Sequence, residues 1–105
     1  MADFMKILQQ AQEMQGRFQR LQEELQQQTV KASSGGGMVT VEANGQGTVQ
    51  SIKIDPSVVN AADVEMLEDL VVVAISDAQQ KAQKMAQDEM GKLTGGMQLP
   101  FKLPF

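Results

Sequence analysis

The chain has 105 residues, a length for one domain, and carries 13 acids against 9 bases for a net charge of −4. It holds no cysteine and no histidine, which excludes disulfides, thiolate or imidazole catalysis and the common zinc ligand sets. The acidic surplus is a poor global footprint for binding a polyanion.

The opening "MADFMKILQQAQEMQ" has no apolar run long enough for a signal peptide or a membrane span, because Lys6, Gln9 and Gln10 interrupt it. A cytoplasmic protein with no membrane partner is expected. From Phe4 the apolar residues fall at Ile7, Ala11, Met14, Phe18, Leu21 and Leu25. These alternating steps of three and four are a heptad stripe and predict a first helix from about Asp3, as N-cap, to about Gln28. Gly16 inside it is read as merely tolerated.

At Thr29 the period changes to two. The runs "TVKAS", "MVTVEA" and "TVQSIKI" are separated by "SGGG" and "NGQG", whose glycines supply the positive φ of hairpin turns. A three-stranded antiparallel meander over 29–34, 37–43 and 47–54 is predicted, closed by Pro56. Neither glycine cluster is followed by a helix and the lysine of a phosphate loop. No base or acid pair for catalysis stands out, so the chain reads as no enzyme, with no cofactor, no metal and no small-molecule substrate.

A second helix opens near Asn60 or Asp63. Asp63, Glu65, Glu68 and Asp69 crowd its start, where the helix dipole favours acids, and they are read that way rather than as a metal site. The helix is expected to run to about Met90, with Gly91 and Gly95-Gly96 as stops. Its first half is apolar all round: Leu67, Leu70, Val71 and Ala74 can cover the sheet, leaving Val72, Val73 and Ile75 pointing elsewhere. A small sheet with one helix cannot hide them, which predicts a homodimer buried through Leu70, Val72, Val73 and Ile75. The second half keeps only Ala78, Ala82, Met85 and Ala86 as an apolar stripe, expected to pair with the stripe of the first helix in a projecting arm. The fold class is α+β in the order α–β–β–β–α, one domain over 1–93 followed by a tail, 94–105. That tail has two prolines and no period, and is read as flexible.

The segments "SGGGMVTVEANGQGTVQSIKIDPSVV", "EMLEDLVVVAISDAQQKA" and "TGGMQLPFKLPF", in this order and spacing, resemble the YbaB/EbfC family of bacterial nucleoid-associated proteins across essentially the whole chain. The resemblance implies a tweezer-like homodimer that binds duplex DNA, alters its conformation, and serves nucleoid organisation and gene regulation. The bases on the arms are Arg17, Arg20, Lys81 and Lys84, and under that implication they are the DNA contacts. Without tryptophan or tyrosine the chain lacks the usual stacking platforms for single strands, and no helix-turn-helix or zinc pattern offers groove readout. On the residues alone a rival reading stands: a coiled-coil protein-interaction module or chaperone-like clamp, for which glutamine-rich arms and an apolar tail are equally suited.

Overall fold

The computed structural model describes residues 2–94, which fold as two long helices and one three-stranded sheet. Helix α1 spans Ala2–Gln27, strands β1, β2 and β3 span Thr29–Ser34, Val39–Asn44 and Val49–Ile54, and helix α2 spans Val64–Thr94. The strands lie in the order β1-β2-β3, antiparallel throughout, with Ala32 opposite Val41 and Val41 opposite Ile52. The α–β–β–β–α order is the one expected. The expected 94–105 tail lies, beyond Thr94, outside the described residues.

Several boundaries differ from expectation for local reasons. Asp3 lies inside the first turn of α1 instead of capping it. The strands expected to begin at 37 and 47 begin at Val39 and Val49. Gly35, Gly36 and Gly37 form a tight turn with φ of 61°, 66° and 93°, which only glycine adopts without strain. Gly47 and Thr48 belong to the next turn, where the Asn44 side chain accepts from the backbone N–H of Gln46 and of Thr48, both at 3.0 Å. After β3, the Asp55 carboxylate accepts from Ser57 N at 2.8 Å and turns the chain through Pro56–Val58.

Asp63 opens α2 as its N-cap, its carboxylate accepting from Met66 N at 3.2 Å. The helix then runs through Gly91 to Thr94, past the expected stop. An interior glycine costs about 1 kcal/mol, and the half-buried Leu93 just beyond it lies beside Leu21 of α1, a tertiary gain of the same order.

The core is thin and built from small residues. Val30 and Ala32 of β1, Val39, Val41 and Ala43 of β2, Val58, and Ala74, Ala78 and Ala82 of α2 form it. The three alanines recur every fourth residue, so one face of α2 sits close on β1 and β2. This corrects the expected role of Ala78 and Ala82: they pack on the sheet and not on α1. Contact between α1 and α2 is confined to their C-terminal parts, where Leu21 and Leu25 are buried. The N-terminal half of α1 runs on past the end of α2, so that Phe4 and Ile7 remain 65% and 62% exposed. The protein is accordingly elongated, 73 × 24 × 16 Å.

Candidate nucleic-acid interface

What positions the α1 arm is a joint at the β2–β3 turn. Gly45 donates its backbone N–H to Leu25 O at 2.7 Å and also lies 3.2 Å from Gln28 O. A methyl group on Gly45 would stand 2.6 Å from Leu25 O, so only glycine allows this approach. Gln46 extends the joint with its amide donating to Gln22 O at 3.1 Å. Gln79 of α2 donates to Gly47 O at 3.2 Å from the other side. Helix α1 is thereby tied to the sheet at its last two turns only.

The four bases expected to meet DNA fall into two groups. Arg17 and Arg20 lie together where α1 crosses the end of α2, in a shallow cleft that also contains Glu24, Glu89, Lys92 and Leu93. Neither arginine has an ion-pair partner among the described residues. Lys92 and Glu89 form a pair at 3.3 Å, which leaves Arg17, Arg20 and Glu24 as the unpaired charges of the cleft, two positive against one negative. The second group is on the flank of α2 beside β1. Lys81 donates to Lys31 O at 2.8 Å, and Lys31 itself pairs with Glu42 at 3.2 Å. Lys84, less than one turn further on, is exposed, and its side chain has no hydrogen bond or ion pair among the described residues. Along α2, Lys92 beside the arginines lies about 12 to 17 Å from Lys84 and Lys81 at 1.5 Å per residue. Lys92 was missed in the sequence because Gly91 reads as a helix stop; the amphipathic continuation to Leu93 was the signal that would have found it.

The residues expected at a homodimer interface also divide. Leu70 and Ile75 are half-buried against the protein's own core, so Ile75 does not point away from the sheet as expected. Val72 and Val73 are 62% and 49% exposed. The structure adds two residues that period-two reading did not single out: Ile52 and Ile54 of β3, 41% and 39% exposed. Their register partners Val41 and Val39 are fully buried beneath α2. The same sheet face is thus covered over β2 and left open over β3. Gln79, seven residues after Val72 and so on the same flank of the helix, reaches Gly47 just before β3. Val72 therefore lies on the β3 side.

The described residues contain no group of three or more acidic side chains able to hold a metal ion, and no helix among them is long and apolar enough to cross a membrane. What the fold and the charge placement define is a small α+β module with unpaired bases on both of its helices, two of them where α1 crosses the end of α2. The chain belongs to the YbaB/EbfC DNA-binding family, whose sequence profile matches residues 1–97, and is a DNA-binding protein rather than an enzyme. It is 53% identical to a nucleoid-associated protein of Gemmatimonas aurantiaca over 98% of this chain and 99% of that one. It is 46% identical to a nucleoid-associated protein of Desulfotalea psychrophila over 93% and 92% of the two chains. Among solved structures it resembles an uncharacterized protein of Helicobacter pylori, with a TM-score of 0.79 at 25% identity, covering 88% of this chain and 97% of the other.

Proposed function

We propose that this protein is nucleoid-associated and binds duplex DNA as a homodimer through its helical arms, altering DNA conformation in nucleoid organisation and gene regulation. The observation that carries the reading is the pair of unspent guanidiniums, Arg17 and Arg20, held on the arm beside Lys92. The separation of about 12 to 17 Å between Lys92 and the Lys81–Lys84 group is close to the width of the B-DNA major groove, about 12 Å. Phosphates on its two sides are within reach of the two groups. Arg17, Arg20 and Lys84 carry the larger shares, because one donor of Lys81 is already used on Lys31 O. The net charge of −4 opposes approach at long range, but at physiological salt fields fade within about 8 Å, so distant acids are screened from the arm. Contacts to phosphate carry no base identity, and DNA shape is left as the source of any preference.

The dimer is supported by an inverted distribution of apolar size: valines and alanines fill most of the core while Ile52, Ile54, Val72 and Val73 stay outside. A second copy that covers β3 and the outer side of α2 removes that exposure.

A gel shift on random duplex DNA across a salt series tests the function. With about four phosphates neutralised, log affinity falls with log salt at a slope of roughly −3 to −4. Changing Arg17, Arg20, Lys81 and Lys84 together to glutamate abolishes binding equally for unrelated sequences, with circular dichroism unchanged. Wild-type affinity in that variant moves the site off the arms.

A further inference from the structure

The N-terminal half of α1 keeps a heptad stripe that no other described residue covers. Phe4, Ile7 and Leu8 are large, apolar and exposed, and Ala11 continues the stripe. Further along the same stripe Leu21 and Leu25 are buried, because α2 and the β2–β3 turn end beside them. Steps of three and four suit a helix as partner, since side chains at this spacing interlock with a stripe of the same kind. The sequence after Thr94 carries Gly95, Gly96, Pro100 and Pro104 and no heptad repeat.

We infer that the free half of α1 pairs antiparallel with the same segment of a second copy of this chain. One twofold register satisfies every position at once. Ile7 stands opposite the partner's Ala11, large against small, and Phe4 opposite the partner's Met14, whose unbranched thioether adapts to the ring. Leu8 meets the partner's Leu8 on one flank of the seam, and Gln10 meets the partner's Gln10 on the other. Asp3 reaches the partner's Arg17, and Arg17 the partner's Asp3, so the flanking charges are opposite in sign at both ends. Asp3 and Arg17 are both exposed and without an ion pair among the described residues. Shifting the register by one heptad breaks the charge pairing and the Leu8 contact together.

About two heptads of helix pair bury less than the roughly 1,200–2,000 Å² of a stable interface. The association is therefore weak and concentration-dependent; copies held close on one DNA are at a higher effective concentration, with Arg20, Lys84 and Lys92 left for phosphate where Arg17 is paired with Asp3. Where each assembly carries two arms, the isologous contact links assemblies into chains, which amounts to bridging of DNA. The pairing itself does not depend on how the sheet faces associate.

Sedimentation of the full chain without DNA, from micromolar to millimolar concentration, tests it. A mass doubling is expected for the wild type, its loss in Asp3→Arg, and its return in the double variant Asp3→Arg with Arg17→Asp. The chain has no cysteine, so single replacements report proximity cleanly. Leu8→Cys is expected to form an interchain disulfide at least ten times faster than Gln9→Cys, which lies on the outer side of the same helix. Circular dichroism checks that each variant is folded. Equal rates for the two cysteines, an Asp3→Arg variant that associates like the wild type, or a wild type that never doubles in mass would overturn the pairing. Doubling that appears only after truncation following Thr94 would also overturn it, assigning the stripe to the chain's own C-terminal segment.

Discussion

Replacing glycine by alanine at two positions of this chain has opposite expected outcomes, and the joint decides the sign. At Gly45 the new methyl stands 2.6 Å from Leu25 O and 3.0 Å from Leu25 Cα. Both are backbone atoms of a buried turn of α1, so neither can yield by a rotamer change. The helix must move off the turn, and the Gly45 N–H bond to Leu25 O at 2.7 Å is lengthened or lost. Overpacking of this kind costs about 1–3 kcal/mol, and the lost hydrogen bond adds about 1 kcal/mol. For a domain of this size each kcal/mol lowers the melting temperature by roughly 4–8 °C, so Gly45→Ala falls by about 10–30 °C. Gly16, in the middle of α1, has nothing within 4 Å of a built methyl. Relief of its backbone entropy stabilises Gly16→Ala by about 0.5–1 kcal/mol, raising the melting temperature by a few degrees. Thermal denaturation followed by circular dichroism reads both. If Gly45→Ala melts within two degrees or so of the wild type, the turn does not fix α1 and the joint is wrong.

Other outcomes follow from the caps and the exposed face. Val73→Asp or Ile52→Asp leaves a charge that a lone chain tolerates, since both sites are largely exposed; in a homodimer it is buried and dissociates the complex, costing several kcal/mol, as sedimentation at micromolar concentration would reveal. Asp63→Ala removes the acceptor for Met66 N and lowers stability by about 1 kcal/mol, measured by chemical denaturation. Asp55 has its carboxyl held below the usual value of 3.8, first by the Ser57 backbone N–H and then by the Ser57 hydroxyl. A lowered folded-state pKa means that its contribution is present above the unfolded value and lost as pH falls through the folded one. The stability gap between wild type and Asp55→Ala is therefore full at neutral pH and closes below the ordinary carboxylate range; a gap independent of pH would rule the cap out.

Periodicity by itself determined the element types and their order. The three-four steps from Phe4 to Leu25 can only be satisfied by a helix, and the period-two runs between glycine clusters only by strands. The family was also legible, because the turn and helix segments occur together in order. Tertiary structure decided which of several apolar faces each element uses. The spacing of Ala78 and Ala82 suits a helix-pairing stripe, but a sheet accepts the same small side chains, and in the fold Ala74, Ala78 and Ala82 pack with the valines of β1 and β2. Ile75 was assigned outward from an all-round apolar run, in which period carries no direction; the packing of α2 on β1 and β2 supplies it. Ile52 and Ile54 alternate like any half-buried strand, and only the position of α2 over β1 and β2 reveals that their shared face is left open. Arg17 and Arg20 lie far from Lys92 in sequence, and they become its neighbours because Gly45 lets α1 rest against the turn and run antiparallel to the end of α2. Spacing along a chain reports which residues share a face, whereas which face meets which is settled by contacts between distant segments.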